Sequence, residues 1–167
     1  MNADIYLGLG ANLGEPSQTF ELALALVGRF AKIHQVSKLY KSSPFGFSDQ
    51  PPFVNAAAQI STSLEPLDLL TKLQFIEGAL GKEVIRKNGP RIIDLDLLIY
   101  GDRVIEEQDL TIPHPGILTR DFVLRPLLDI SPDLSHPSWK PKTLKSALGG
   151  LQENFIRESP EEWNLQL

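Results

Sequence analysis

The chain has 167 residues, no cysteine, 42% hydrophobic residues and a formal net charge of -5. That length makes one domain able to bury about two thirds of its unfolded surface, and the missing cysteines exclude disulfides and thiolate metal sites and fit a reducing compartment. The negative balance excludes a general basic field for nucleic acid or anionic membrane, and no apolar run approaches the ~18 residues of a membrane span or forms a signal segment after Met1-Asn2-Ala3-Asp4. A cytoplasmic protein is expected, working as a monomer, in which a negatively charged substrate must find a local positive site.

Ile5 to Gly10 reads as a short strand, and Pro16 to about Arg29 as a helix whose apolar side is Phe20, Leu22, Leu24, Leu26 and Val27. The glycines of Gly8-Leu9-Gly10-Ala11-Asn12-Leu13-Gly14 resemble a dinucleotide fingerprint with one residue too many. The next strand, about Ala31 to Tyr40, does not end in the acidic residue that such a fingerprint requires. These glycines are therefore read as a tight turn, and the sequence contains no P-loop. Ser42 to Pro52 has the composition of a loop, longer than a connector needs. Its Phe45 and Phe47, with Phe53 beyond it, either tuck beneath the loop or line a site for a flat ring. Phe53 to Thr62 reads as a third strand. Asn55, on the same face as Phe53, either caps the loop or offers a donor and an acceptor to a heterocycle edge.

A helix from Pro66 to about Leu80 is predicted, with Leu67, Leu69, Leu70, Leu73, Ile76 and Leu80 toward the core and Gln74 and Glu77 one turn apart. The basic segment Lys82 to Arg91 follows. It contains Lys82, Arg86, Lys87 and Arg91, with Val84 and Ile85 as its apolar anchors, and it leads directly into Ile92-Ile93-Asp94-Leu95-Asp96-Leu97-Leu98-Ile99-Tyr100. Strand alternation puts Ile93, Leu95, Leu97 and Ile99 on one face, and Asp94, Asp96, Leu98 and Tyr100 on the other. The two carboxylates then point the same way from Cα atoms about 6.6 Å apart. The pair is either two ordinary polar residues of a solvated strand face or, since like charges so placed repel, a site where a hard cation such as Mg²⁺, which uses one or two carboxylates together with water and phosphate oxygens, relieves that repulsion. The basic residues nearby either neutralise the pair or clamp phosphate oxygens.

Gly101-Asp102-Arg103 reads as a hairpin turn, Val104-Ile105 and Leu110-Thr111-Ile112 as edge pieces, and Pro113-His114-Pro115 as a restricted turn. Its histidine either bonds the backbone or meets a phosphate or leaving group. Leu118 to Leu124 reads as one helical turn and Thr143 to Leu148 as a short helix. Residues 149–167 carry an acidic patch, Glu158 to Glu162, and no legible chemistry. Neither repeats nor a linker divide the chain, so residues 1–167 are read as a single domain.

Taken together, these segments resemble the 6-hydroxymethyl-7,8-dihydropterin pyrophosphokinase family of folate biosynthesis, over about residues 5–133. The most specific match is Lys87-Asn88-Gly89-Pro90-Arg91-Ile92-Ile93-Asp94-Leu95-Asp96. Tyr6 to Leu13, Ser43 to Gly46, Asp49 to Ala57, Leu110 to His114 and Arg120 to Phe122 supply further ordered matches. The resemblance implies an α+β, ferredoxin-like sandwich, with a mainly antiparallel sheet, helices on one face and mobile loops over a cleft on the other. It also implies ATP as co-substrate, two Mg²⁺ ions, and pyrophosphoryl transfer to the hydroxymethyl oxygen of the pterin with release of AMP.

By match, Asp94 and Asp96 bind the metals and act with Arg91 and Lys82 in catalysis. ATP contacts fall to Gln74, Glu77, Arg86, Lys87, Leu97, Leu110, Thr111, His114 and Arg120, and pterin contacts to Ser42, Pro44, Phe45, Phe53, Asn55 and Phe122. The chain departs from the family pattern at Lys82, where arginine is common, at Asn88, where an aromatic can cap the site, and at Asp109 and Pro115. Two other readings stay open: a nucleotidyltransferase attacking the α-phosphorus, and a non-catalytic ligand-binding module of the same fold.

Overall fold

Strand β1 (Ile5–Ala11) is the axis of the sheet because its two faces serve different purposes. Ile5, Leu7, Leu9 and Ala11 are buried in one core, Tyr6 in a second, and Gly8 and Gly10 leave the second face bare. The computed structural model of the protein describes residues 4–83 and 86–163. In chain order, β1 is followed by α1 (Pro16–Val27), β2 (Lys32–Val36), β3 (Tyr40–Ser42), β4 (Phe53–Ser61), α2 (Pro66–Ala79) and β5 (Asp94–Tyr100). The hairpin strands β6 (Ile105–Glu106) and β7 (Thr111–Ile112) then lead to α3 (Asp121–Ile130) and α4 (Leu144–Gly149).

The main sheet has the order β2-β4-β1-β5, every neighbour antiparallel, with β3 pairing β4 on the same edge as β2. The succession β1-α1-β2-β4-α2-β5 in that order is the ferredoxin-like arrangement. Both α1 and α2 open with proline, whose missing N–H costs nothing in the first turn. Phe20, Ala23, Leu24 and Val27 of α1 and Leu69, Leu73 and Ile76 of α2 close the first core against the sheet. The opposite face is shared: α3, α4 and Trp139 cover Tyr6, Ala57, Leu98 and Ile99, and the remainder is left as a cleft.

Several local expectations are corrected. Leu22 and Leu67 are exposed, because each lies just outside the stripe that meets the sheet. The strand expected over 31–40 is two strands interrupted at Ser37, whose Oγ accepts the Ala57 N–H that a continuous strand would have taken. The helical turn near residue 121 is a ten-residue helix that carries Pro126 inside it, held by its strongly one-sided apolar face. The glycines of the first segment are not a turn as a group: Gly8 and Gly10 lie within β1, and Gly14, at φ 67°, supplies the left-handed residue.

The largest correction concerns β5. Leu7 pairs with Leu97 while Tyr6 pairs with Ile99, so Leu98 is an extra residue that reverses the alternation. Leu98 and Ile99 therefore both enter the second core, and Tyr100 turns into the first. Asp94 and Asp96 precede the bulge and keep their shared face.

Candidate active site

The cleft lies over the bare part of β1. Gly10 pairs with Asp94 and Gly8 with Asp96, so the two carboxylates rise beside a floor without side chains, where any side chain would fill the space above it. At one end stand Ser42, Phe45, Phe53, Asn55 and Phe122. At the other are Arg91, Asp94, Asp96 and His114, and Arg120 stands between the two, against the Phe45 ring and within the field of Asp96 and His114. A second hollow continues past Asp96 and His114 to Leu97, Leu110, Thr111 and Leu70.

Asn55 is buried, and its amide nitrogen donates to Ser42 Oγ at 2.8 Å and to the Tyr40 carbonyl at 3.3 Å. Both donor positions are thus engaged within the fold. The carboxamide oxygen, which lies toward Gly10, is what it offers to a ligand, rather than the donor and acceptor together. Phe45 and Phe122 stand with ring centroids 6.3 Å apart, and the Arg120 guanidinium lies 4.5 Å from the Phe45 ring. A flat heterocycle with N–H groups on one edge suits this end of the cleft.

Charge dominates the other end. Lys82 Nζ is 2.7 Å from Asp94 Oδ1 and 2.9 Å from Glu77 Oε2, and Arg91 Nε is 3.8 Å from Asp94 Oδ1. Burial alone would lower the Lys82 ammonium; its hydrogen bonds to Asp94 and Glu77 outweigh that and hold it above the ordinary lysine range. Asp96 has no such cation against it. Removal from bulk water, then the Asp94 and Glu77 charges, push its carboxyl up to about 7, against the opposing pull of Lys82 and Arg120. Its side chain is exposed along the cleft. Solvent reaches it there, so the neighbouring carboxylates outweigh desolvation as the cause.

A divalent cation fits this donor set: two carboxylates of one strand, open to solvent and short of positive charge at Asp96. No group of three or more His, Asp or Glu ligands occurs among the described residues, so a cation held here would take its other ligands from outside those side chains.

His114 is positioned by its own turn. Its backbone N–H donates to the Leu98 carbonyl, and its Nδ1 accepts from the Gly116 N–H at 3.0 Å. Nδ1 as acceptor places the ring proton on Nε2, so a neutral N–H donor is presented where the two hollows meet. Burial and the Arg120 charge both lower its pKa, which keeps it neutral. The two readings of His114 are therefore compatible, one for each nitrogen.

The remaining predicted residues lie outside the cleft walls. Pro44 sits between Ser43 and Phe45, which do line it. Glu77, expected to contact the nucleotide, is buried and bonds Lys82 and the Leu95 N–H, a brace for β5 outside the cleft lining. Gln74 is exposed on α2, and Leu70, one turn earlier, lines the second hollow instead. Arg86 lies 3.7 Å over the Phe47 ring, and Lys87 is exposed. Val84 and Ile85, the expected apolar anchors of the basic segment, lie outside the described residues. The anchoring visible here is polar: Gln50 donates to the Asn88 carbonyl at 2.6 Å, and Asn88, at φ 57°, lines the cleft.

The family model described as 7,8-dihydro-6-hydroxymethylpterin-pyrophosphokinase matches residues 6–132. The chain belongs to that family. It is 44% identical over 135 residues to the 2-amino-4-hydroxy-6-hydroxymethyldihydropteridine pyrophosphokinase of Haemophilus influenzae, covering 80% of this chain and 84% of that one. It is 46% identical over 137 residues to the folic acid synthesis protein fol1 of Pneumocystis carinii, covering 81% of this chain and 18% of that protein. The chain thus spans about a fifth of the length of the fungal proteins it matches and most of the bacterial ones. The Plasmodium falciparum HPPK-DHPS crystal structure superposes with a TM-score of 0.71 at 18% identity, over 87% of this chain and 44% of that one, a likeness of fold.

Two features of this pyrophosphokinase-family site were not read as functional from the sequence. Asn12, buried at the end of β1, donates to Gln50 Oε1 and the Pro51 carbonyl and accepts from the Arg91 N–H, tying three segments together around the cleft. Phe155, from the tail, packs against both Phe45 and Phe122. Asn12 carried a signal, as a polar residue where an apolar strand ends. Phe155 carried none.

Proposed function

We propose that the protein transfers the β,γ-pyrophosphoryl group of ATP to the hydroxymethyl oxygen of 6-hydroxymethyl-7,8-dihydropterin and releases AMP, as a single domain and as a monomer. The observation that carries this reading is one continuous cleft with an aromatic and carboxamide end and a paired-carboxylate end. Asp94 and Asp96 would hold two Mg²⁺ ions, which neutralise phosphate charge and orient the transferring group. Arg91, Arg120 and the neutral His114 N–H donate to phosphate oxygens, and Lys82 leaves Asp94 for the transferring group as the nucleotide enters. Leu97, Leu110 and Thr111 form the hollow for the base and sugar. The pterin lies against Phe122 and Phe53, its N–H edge on the Asn55 oxygen. Such a division of labour is positioning and electrostatic stabilisation, which is what phosphoryl-type transfer needs.

Incubation of ATP with the pterin separates this reading from its rivals: AMP and a diphosphorylated pterin are expected. Pyrophosphate release would mean attack at the α-phosphorus, and binding without turnover a ligand-binding module. Phe122→Ala is expected to weaken pterin binding by about twofold to tenfold, from the loss of stacking worth roughly 0.5 to 1.5 kcal/mol. ATP binding should be nearly unchanged; equal losses for both ligands in calorimetry would contradict the placement.

The basic segment should tighten over the substrates. Lys82 and Arg86 are engaged with Asp94 and Phe47 in the free protein, and those contacts must be exchanged for phosphate when the site fills. Ordering a segment costs about 1 to 2 kcal/mol per backbone residue, so closure is expected to need both substrates. Amide exchange over residues 82–89 should slow little with a nucleotide analogue alone and most in the ternary complex. Full protection in the free protein would show a static wall.

A further inference from the structure

The tail beyond residue 150 lies past the stretch matched by the family model, yet it is built into the edge of the cleft. Ile156 bridges Ser42, and the Ser43 N–H donates to the Phe155 carbonyl at 2.9 Å. Leu39 and Glu161 exchange two backbone hydrogen bonds of 2.9 Å, and Trp163 Nε1 donates to the Ser37 carbonyl. The strap thus runs along the chain from Ser37 to Ser43, and Lys38 and Lys41 there meet its acidic patch at Glu158, Glu161 and Glu162.

Its firmest attachment is next to the site. Asp121, fully buried at the first position of α3, accepts from two successive strap amides with one oxygen, Phe155 N–H at 2.8 Å and Ile156 N–H at 2.9 Å. These charge-assisted bonds compensate the burial of that one oxygen; the other, Oδ1, is buried with no hydrogen-bond partner among the described residues. Asp121 directly precedes Phe122, so the bond that docks the strap also fixes the residue bearing the cleft ring. The Phe155 ring completes the arrangement. It meets Phe122 edge to face at 5.7 Å and 85°, and Phe45 at 5.6 Å and 64°. It lies behind these two rings and outside the cleft wall.

We propose that the C-terminal strap, residues 151–163, sets the heterocycle end of the cleft, with Phe155 and Asp121 as positioning residues that hold the planes of Phe122 and Phe45 for a flat ring. Neither touches the ligand; each acts through a ring that does. The proposal rests on the pyrophosphokinase reading for the identity of that ring, 6-hydroxymethyl-7,8-dihydropterin. Strap and pterin are then linked reciprocally: what the strap adds to pterin affinity, bound pterin adds to strap docking.

The test uses the whole chain. Phe155→Ala is expected to raise the KM and Kd for the pterin about twofold to tenfold, the scale of one lost aromatic contact, with kcat and the Kd for ATP unchanged. Phe155→Tyr, which keeps the ring, should restore the wild-type values, and Asp121→Asn should shift the pterin constants in the same direction. If Phe155→Ala does not fold, Phe155→Leu keeps apolar volume without the ring and is read in the same way. In the wild type, amide exchange at Phe155 and Ile156 should slow on adding the pterin and not on adding ATP. Pterin and ATP constants that move together, pterin constants that do not move, or no rescue by Phe155→Tyr would each overturn the strap's role. Wild-type protein that does not bind the pterin would overturn the pyrophosphokinase reading and this proposal with it. Wild type that binds it while Phe155→Ala binds equally well would overturn the proposal alone.

Discussion

Asp94→Ala and Asp96→Ala should each abolish Mg²⁺-dependent turnover, by on the order of 10³-fold or more, in protein that is still folded. Metal ions supply several kcal/mol of charge stabilisation to phosphoryl-type transfer, and each ~1.4 kcal/mol is tenfold in rate. Both side chains face the cleft and neither belongs to the apolar cores, so their loss removes ligands without creating a cavity. Turnover within tenfold of wild type in either variant would remove the carboxylate pair from the mechanism.

Asp96 adds a second readout with a definite sign. Its folded-state carboxyl is raised to about 7, so the ionised form is disfavoured in the free folded protein. The resulting cost is absent below the ordinary carboxylate range, grows between about pH 4 and 7, and is fully present above 7. Asp96→Asn should therefore make the metal-free protein more stable at pH 8 and leave it nearly unchanged at pH 4. Solvent reaches this side chain, so the gain is discounted to on the order of 1 kcal/mol, or roughly 2–4 °C in Tm for a chain of this size. A lower Tm at pH 8 than at pH 4, relative to wild type, would refute the charge crowding.

Asn12→Ala should be the most damaging single change outside the apolar cores. Three hydrogen bonds disappear together, and the Arg91 N–H and Pro51 carbonyl lose the partner around which β1, the 42–52 loop and the start of β5 converge. Each buried polar group left unpaired costs about 1 to 3 kcal/mol. A loss of about 3 kcal/mol is expected, lowering Tm by roughly 6–12 °C. Turnover should fall as well, because Arg91 and Asn88 are then no longer registered against the cleft. Asn12→Asp keeps the acceptor for Arg91 and loses both donors, so it should fall between wild type and Asn12→Ala. A Tm for Asn12→Ala within about 2 °C of wild type, under 1 kcal/mol on the same scale, would show that the clamp is redundant.

Features that depend on local period and on residue chemistry were legible along the chain. Alternation over two residues is a backbone property, so Asp94 and Asp96 had to share a face, and a proline at the first helical position announced both α1 and α2. The Lys87 to Asp96 run identified the family because the spacing of cations and carboxylates within one segment is itself the chemical pattern. Contacts between distant segments followed other rules. The extra residue at Leu98 arises from pairing β5 with β1, and no single-strand pattern reports it; it exchanges the cores that Ile99 and Tyr100 enter. Gly8 and Gly10 looked like a turn until the sheet placed them opposite the carboxylates, where the absence of a side chain is what opens the cleft. Asn12, Asp121 and Phe155 act through partners at least 33 residues away, and beyond the polar break that Asn12 makes at the end of an apolar strand their identities carry no local mark of it. Tertiary structure decided these because a hydrogen bond or a ring contact is made by whatever the fold brings within reach, and the fold is set by the burial of all the apolar residues at once.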